Sequence, residues 1–187
     1  MSDLGPGGRA DDQQDRELIA RWRGGDDRAA TELVERHAQA LARFAVSSGA
    51  RNDEVDELVQ DTFVRAFNSL EGFRGDSSFR TWLFTIQRRL LVDRRRAERR
   101  RRDQDEVQEG DAATEYDALD TVVADETQKR LQNAIGRLSP MQKEVFSLRV
   151  SEGLSYKEIA DAVGSTEGAA RVHYHNAMRA VKEFLDE

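Results

Sequence analysis

Apolar residues recur along this chain at helical spacing almost from end to end. Gln13 to Arg23 reads as a first helix closed by Gly24-Gly25. Asp26 or Asp27 then caps a second helix to about Ser48, with Ala30, Leu33, Val34, His37, Leu41 and Phe44 on one side and Gly49 beyond its end. A third helix starts at Asn52 or Asp53. Val55, Leu58, Val59, Thr62, Phe63, Ala66, Phe67 and Leu70 form its apolar stripe, while Asp56, Glu57, Gln60, Asp61 and Arg65 take the other face. After the loop Glu71–Asp76, Ser77 or Ser78 caps a fourth helix from Phe79 to about Arg102. Its first half packs through Phe79, Leu83, Ile86, Leu90 and Leu91; its second half is nearly all arginine and is not buried. The pattern lapses, resumes near Thr121 and runs to Leu138. Ser139-Pro140 opens three more helices, Met141–Val150, Ser155–Ala162 and Thr166 to about Leu185, punctuated by Gly153 and Gly164.

Strand-like alternation is missing, so the fold class is all-α: two small helical bodies rather than one large core. Residues 1–12, Gly-rich and polar, read as a disordered tail, 13–102 as the first body, 103–124 as a linker and 125–187 as the second. The 187 residues include no cysteine, which excludes disulfides, thiol nucleophiles and Cys-ligated zinc. No run reaches the roughly 20 apolar residues of a membrane span, and the N-terminus has no signal-peptide core.

The net charge of −7 conceals two opposed blocks. Arg80–Arg102 holds ten arginines against Asp93 and Glu98, a net of +8; Asp103–Glu126 holds ten acids and no Lys or Arg, a net of −10. The first block is basic enough to hold a polyanion. Consecutive arginines repel one another and gain stability when phosphates neutralise them. The two blocks together suggest a compact state sensitive to salt. Just before the arginines, Phe73, Phe79, Trp82 and Phe84 interleave with Arg74, Arg80, Arg88 and Arg89. Aromatic faces with cations suit unstacked bases, although each aromatic is also a candidate for core, Phe79 and Leu83 first. The acidic face of the third helix is either plain solvated surface or a dock for a basic protein.

Leu154–Arg171 has the form of a helix-turn-helix: capped helix, turn at Gly164, second capped helix, with Ile159, Val163, Ala170 and Tyr174 in the shared core. Arg171, His175, Asn176, Arg179 and Lys182 are candidates for its DNA face, and Thr166 with the helix's free N–H groups suits a phosphate. A plain three-helix bundle is the alternative. His173 and His175 stand two apart and point in different directions, with no third ligand, so no metal site is expected. Phosphate-loop, nucleophile-elbow and zinc-protease motifs are all missing, so no catalytic set and no cofactor are expected.

Asp56-Glu57-Leu58-Val59-Gln60-Asp61-Thr62-Phe63, continued by Phe73-Arg74-Gly75-Asp76-Ser77-Ser78-Phe79-Arg80-Thr81-Trp82-Leu83, resembles the signature of bacterial RNA polymerase sigma factors, in particular the extracytoplasmic-function (ECF) subgroup of the sigma-70 family. Leu138-Ser139-Pro140 and Leu154–Ala160 resemble the second conserved domain of that family. The resemblance covers about residues 13–102 and 125–185, and implies a promoter-specificity subunit rather than an enzyme. It implies that Asp56, Glu57, Gln60, Asp61 and Arg65 dock on the clamp helices of the largest polymerase subunit, with the flap as a further contact. It implies that Phe73, Arg74, Asp76, Ser77, Ser78, Arg80, Trp82, Arg88, Arg89, Arg95 and Arg96 meet the −10 element, the loop taking a flipped base. It assigns Thr166, Glu167, Arg171, His173, His175, Asn176 and Arg179 to the −35 element. It further implies a cytoplasmic protein held by an anti-sigma factor, with an acidic linker that mimics nucleic acid or shields the arginines. No further regulatory domain is expected after Glu187. Val172-His173-Tyr174-His175-Asn176 departs from the more basic −35 helix usual in the family. A stand-alone helix-turn-helix regulator is the alternative reading; it has no need of the Asp53–Ser78 block.

Overall fold

The computed structural model describes residues 6–105 and 126–186, and among these every regular element is helical. The helices are α1 (Pro6–Arg23), α2 (Asp27–Ser47), α3 (Val55–Asn68), α4 (Phe79–Asp105), α5 (Glu126–Gly136), α6 (Pro140–Val150), α7 (Tyr156–Val163) and α8 (Glu167–Asp186). The sequence-predicted order stands.

Three boundaries differ. α1 begins at Pro6 rather than Gln13, so residues 6–12 belong to a helix and not to a tail. Its anchor is tertiary: Arg36 on α2 donates to Asp11, Gln14 and Asp15, which the local Gly-rich composition does not reveal. The third helix opens with a 3-10 turn, Asn52–Glu54, before α3. α4 continues into the predicted linker as far as Asp105. The rest of that acidic stretch, and the predicted helix start near Thr121, lie outside the described residues.

Local chemistry accounts for the caps. The Asp26 carboxylate accepts from the Arg28 N–H at 3.1 Å, and its bond from Arg21 holds its carboxyl below the ordinary value. Ser139 and Ser155 each form a capping box, with Gln142 and Glu158. Gly164 ends α7 in the left-handed conformation (φ 65°, ψ 46°), where a side chain is strained.

Leu33, Leu41, Phe44, Leu58, Leu83 and Phe84 fill the centre of α1–α4, with the Phe44 and Phe84 rings edge-to-face at 5.2 Å. Gln87, fully buried on α4, donates to the Leu41 carbonyl at 3.0 Å and ties α4 to α2. In α5–α8 the core is Val145, Leu148, Ile159, Val163, Ala170, Ala177 and Val181. Ala160 and Ala170 are small enough for α7 and α8 to cross closely. The two bodies touch: α4 packs on α7 and α2 on α6, and a single apolar cluster runs through both.

Candidate functional site

Three exposed surfaces and one internal seam hold the sequence-predicted residues. On α3, Asp56, Glu57, Gln60 and Arg65 are exposed and Asp61 half-buried, because Val55, Leu58, Thr62, Phe63 and Ala66 turn inward. Glu57 and Asp61 are not free carboxylates: Arg94 of α4 bridges them at 3.2 and 2.6 Å. Beside this polar strip runs an apolar groove of about 330 Å³ between α2 and α3, lined by Val34, Val59, Phe63, Val64 and Phe67. Val64 is 53% exposed at its rim. Sequence reasoning missed this apolar half of the surface; an unburied valine one turn from Gln60 was the available signal.

The loop before α4 is built on Ser78, whose hydroxyl accepts the Thr81 N–H at 3.1 Å and bonds the Thr81 hydroxyl at 2.9 Å. Gly75, at φ 78°, turns the chain so that Arg74 and Asp76 remain exposed, with Ser77 half-buried. Phe73 and Trp82 lie half-buried at 5.0 Å between ring centroids, both against the buried Phe79. Phe84 is fully buried core and not a base platform, since it faces α2 on the opposite side of the helix from Trp82.

The α4 arginines divide by what they touch. Arg89 and Arg96 are exposed and fall on the side of α4 that carries Trp82, seven residues apart each. Arg95 turns back and donates to the Ser48 carbonyl at the end of α2, passing so close to Gly49 that a Cβ there would stand 3.2 Å from its guanidinium. In the free chain Arg95 therefore ties α4 to the end of α2. Arg80 and Arg88 face the second body. Arg88 donates to Glu144 at 2.7 Å, and Arg80 shares Glu152 with Arg43, which donates at 2.9 and 3.0 Å. The Arg43 guanidinium is held more firmly protonated by this bond. Glu144, Glu152 and Arg43 were not singled out in the sequence. A polar cleft of about 570 Å³ follows this seam past Asp15, His37 and Glu158. There His37, counted among the apolar positions of α2, is buried and bonded to Asp15 at 2.8 Å. Asp12 borders the same cleft, and burial, reinforced by the Glu158 charge, raises its carboxyl above the ordinary value.

α8 presents its own face. Ala170, Ala177 and Val181 are buried and Tyr174 half-buried, so Gly168, Val172, His175 and Arg179 stand opposite, in the open. Arg171 flanks them, 4.9 Å over the Tyr156 ring and paired with Glu167 at 2.9 Å. Asn176 accepts from Arg179 at 3.2 Å. His173 is turned toward the flank and half-buried. The Thr166 hydroxyl accepts the Ala169 N–H at 3.2 Å as the helix cap, which leaves its own O–H to donate. Val172, 57% exposed at the centre of the face, was not among the predicted readers. Among the described residues no group of three His, Cys, Asp or Glu side chains is placed to hold a metal ion, and no helix is long and apolar enough to cross a membrane.

An all-α pair of bodies, one with an aromatic–arginine face and the other with a protruding helix-turn-helix, is the architecture of a two-part promoter-recognition subunit. The family comparisons agree. Residues 33–101 match Sigma-70 region 2 and residues 128–181 match Sigma-70, region 4. RNA polymerase sigma factor CnrH of Cupriavidus metallidurans is 33% identical over 180 residues, covering 92% of this chain and 94% of that protein. The ECF RNA polymerase sigma-E factor of Haemophilus influenzae is 30% identical, with 92% and 96% covered. The sigma factor RpoE from Bartonella quintana, solved in complex with the anti-sigma factor NepR, superposes with a TM-score of 0.64 at 27% identity, over 83% of this chain and 96% of that one. The chain belongs to the sigma-70 family and is an ECF RNA polymerase sigma factor.

Proposed function

We propose that this chain binds core RNA polymerase through the α3 surface, with Asp56, Glu57, Gln60, Asp61 and Arg65 supplying polar contacts and the Val59–Val64 groove an apolar one. It has no active site of its own; bond formation belongs to the polymerase. The body of residues 13–102 takes the −10 element and that of 125–187 the −35 element, with 103–124 as the strap between them.

The observation that carries this reading is the placement of Phe73 and Trp82 beside the exposed Arg74, Arg89 and Arg96. Half-buried rings offer a face to an unstacked base while the cations follow its backbone. Extruding a base from a duplex costs a few kcal/mol, which stacking and phosphate neutralisation offset. On α8, Arg171, His175 and Arg179 reach bases or phosphates in the major groove, and Val172 suits the C5 methyl of a thymine. A cytoplasmic location follows from the polymerase partner. An anti-sigma factor that covers these surfaces is the regulator the relatives suggest, RpoE having been solved with NepR.

Run-off transcription with purified core enzyme on a pool of promoter fragments tests this function. The expected result is a discrete transcript that requires both core and this chain. Sequence-specific duplex binding without any transcript would favour the stand-alone regulator instead.

A further inference from the structure

The contact between the two bodies is made by cations that the −10 reading needs elsewhere. The Glu152 carboxylate is completely buried, and Glu144 is 5% exposed in its side chain. Both belong to the second body, Glu144 within α6 and Glu152 in the turn after it. Among the described residues, each carboxylate finds its hydrogen-bond partners on the first body: Arg43 and Arg80 for Glu152, Arg88 for Glu144. A buried carboxylate without its guanidinium is strongly disfavoured, so these bridges and the packing around them form and break together. Opened into water, all five groups hydrate, which keeps the closure releasable. A carboxylate also offers a guanidinium the same anionic oxygens that a phosphate does.

The closure is one-sided. α8 packs on α5, α6 and α7, and its outer face, with Val172, His175 and Arg179, stays exposed while Arg80 and Arg88 are engaged. We propose that Glu144 and Glu152 act as built-in phosphate surrogates: in the free chain they occupy two cationic seats of the −10 face and hold the bodies closed, leaving the −35 helix accessible. Promoter strand or polymerase must then displace the chain's own carboxylates before the −10 face is complete. This rests on the assignment of α4 to the −10 element made above. The acids concerned lie in the second body and are distinct from the acidic linker that the resemblance offers as a mimic or a shield.

The absence of native cysteine allows a clean test. Arg28→Cys and Glu183→Cys, both at exposed positions, carry a donor and an acceptor dye on the full chain. Energy transfer is compared between this protein and versions bearing Glu144→Gln with Glu152→Gln, or Arg43→Ala, which attacks the same bridge from the other body. Circular dichroism verifies that helicity is kept. Affinity is measured in parallel with a fluorescent single-stranded oligonucleotide of mixed sequence. The expected result is a shift to a different transfer level in both variants. The double glutamine variant should also bind the strand at least about five-fold more tightly, as when a minor competent population becomes dominant. Adding Arg80→Ala and Arg88→Ala should abolish that gain. Unchanged transfer in both variants, opening without tighter strand binding, or a gain that survives loss of the two arginines would each overturn the proposal. If no protein of the set binds the strand at all, the −10 assignment itself fails; unchanged or shifted transfer then still decides whether the bridges hold the bodies closed.

Discussion

Side chains of one chemical type have different duties along α4, and the difference is tertiary. Arg89 and Arg96 are open, Arg95 closes the end of α2, Arg94 steadies two acids of α3, and Arg80 and Arg88 are bridged to acids 72 and 56 positions away. The run of arginines announces a polyanion partner, but it cannot announce which members are already occupied, since nothing local encodes a partner at that distance. The aromatics divide in the same way. Helical spacing marks Phe79 and Leu83 as core; it leaves Phe84 and Trp82 undecided, and the Phe44 ring settles Phe84 as core. Phe84→Ala should therefore cost about 3–5 kcal/mol of stability, while Trp82→Ala, which removes a half-buried ring, should cost clearly less stability and weaken binding of the −10 strand by about 1–3 kcal/mol. Urea unfolding and strand titration of the two variants check this pair. The opposite assignment, a more destabilising Trp82 variant and a strand-deficient Phe84 variant, would reverse the roles given to the two rings.

Whole elements were legible where local chemistry decides them. The turn at Gly164 and the two serine capping boxes define α6 and α7 almost to the residue, and the spacing of Ala170 and Tyr174 orients α8. Legibility failed at α1, which is held by Arg36 of another helix. Val172, exposed at the centre of the α8 face, was passed over because only polar residues were read as candidates for DNA contact. Two effects should separate on α8. Arg171→Ala should cost about 1–3 kcal/mol at one base position if its guanidinium leaves Glu167 for a base edge, and a uniform amount across sequences if it meets a phosphate. Val172→Ala should lower the preference for a single thymine and lose all further sensitivity to replacing that thymine by uracil, which lacks the methyl. Gel-shift titrations on substituted −35 duplexes read both variants; full methyl sensitivity in the Val172 variant would remove valine from the reading face.

At the scale of the molecule, two helical bodies share one apolar cluster and buried ion bridges, and the surfaces proposed for DNA and polymerase lie on different helices of the same chain. Such an arrangement suits a subunit that closes when alone and spreads along a promoter when a larger enzyme supports it. Two patches of contact, separated along the DNA and dependent on the polymerase, are the physical consequence. Hydroxyl-radical footprinting of a promoter with this chain, with core enzyme and with both together measures that consequence most directly. The complete mixture should protect the −35 and −10 segments together and make −10 thymines reactive to permanganate, whereas the chain alone should leave the −10 segment unprotected and paired. A single protected patch, equally strong without core and with no melted thymines, would contradict the account.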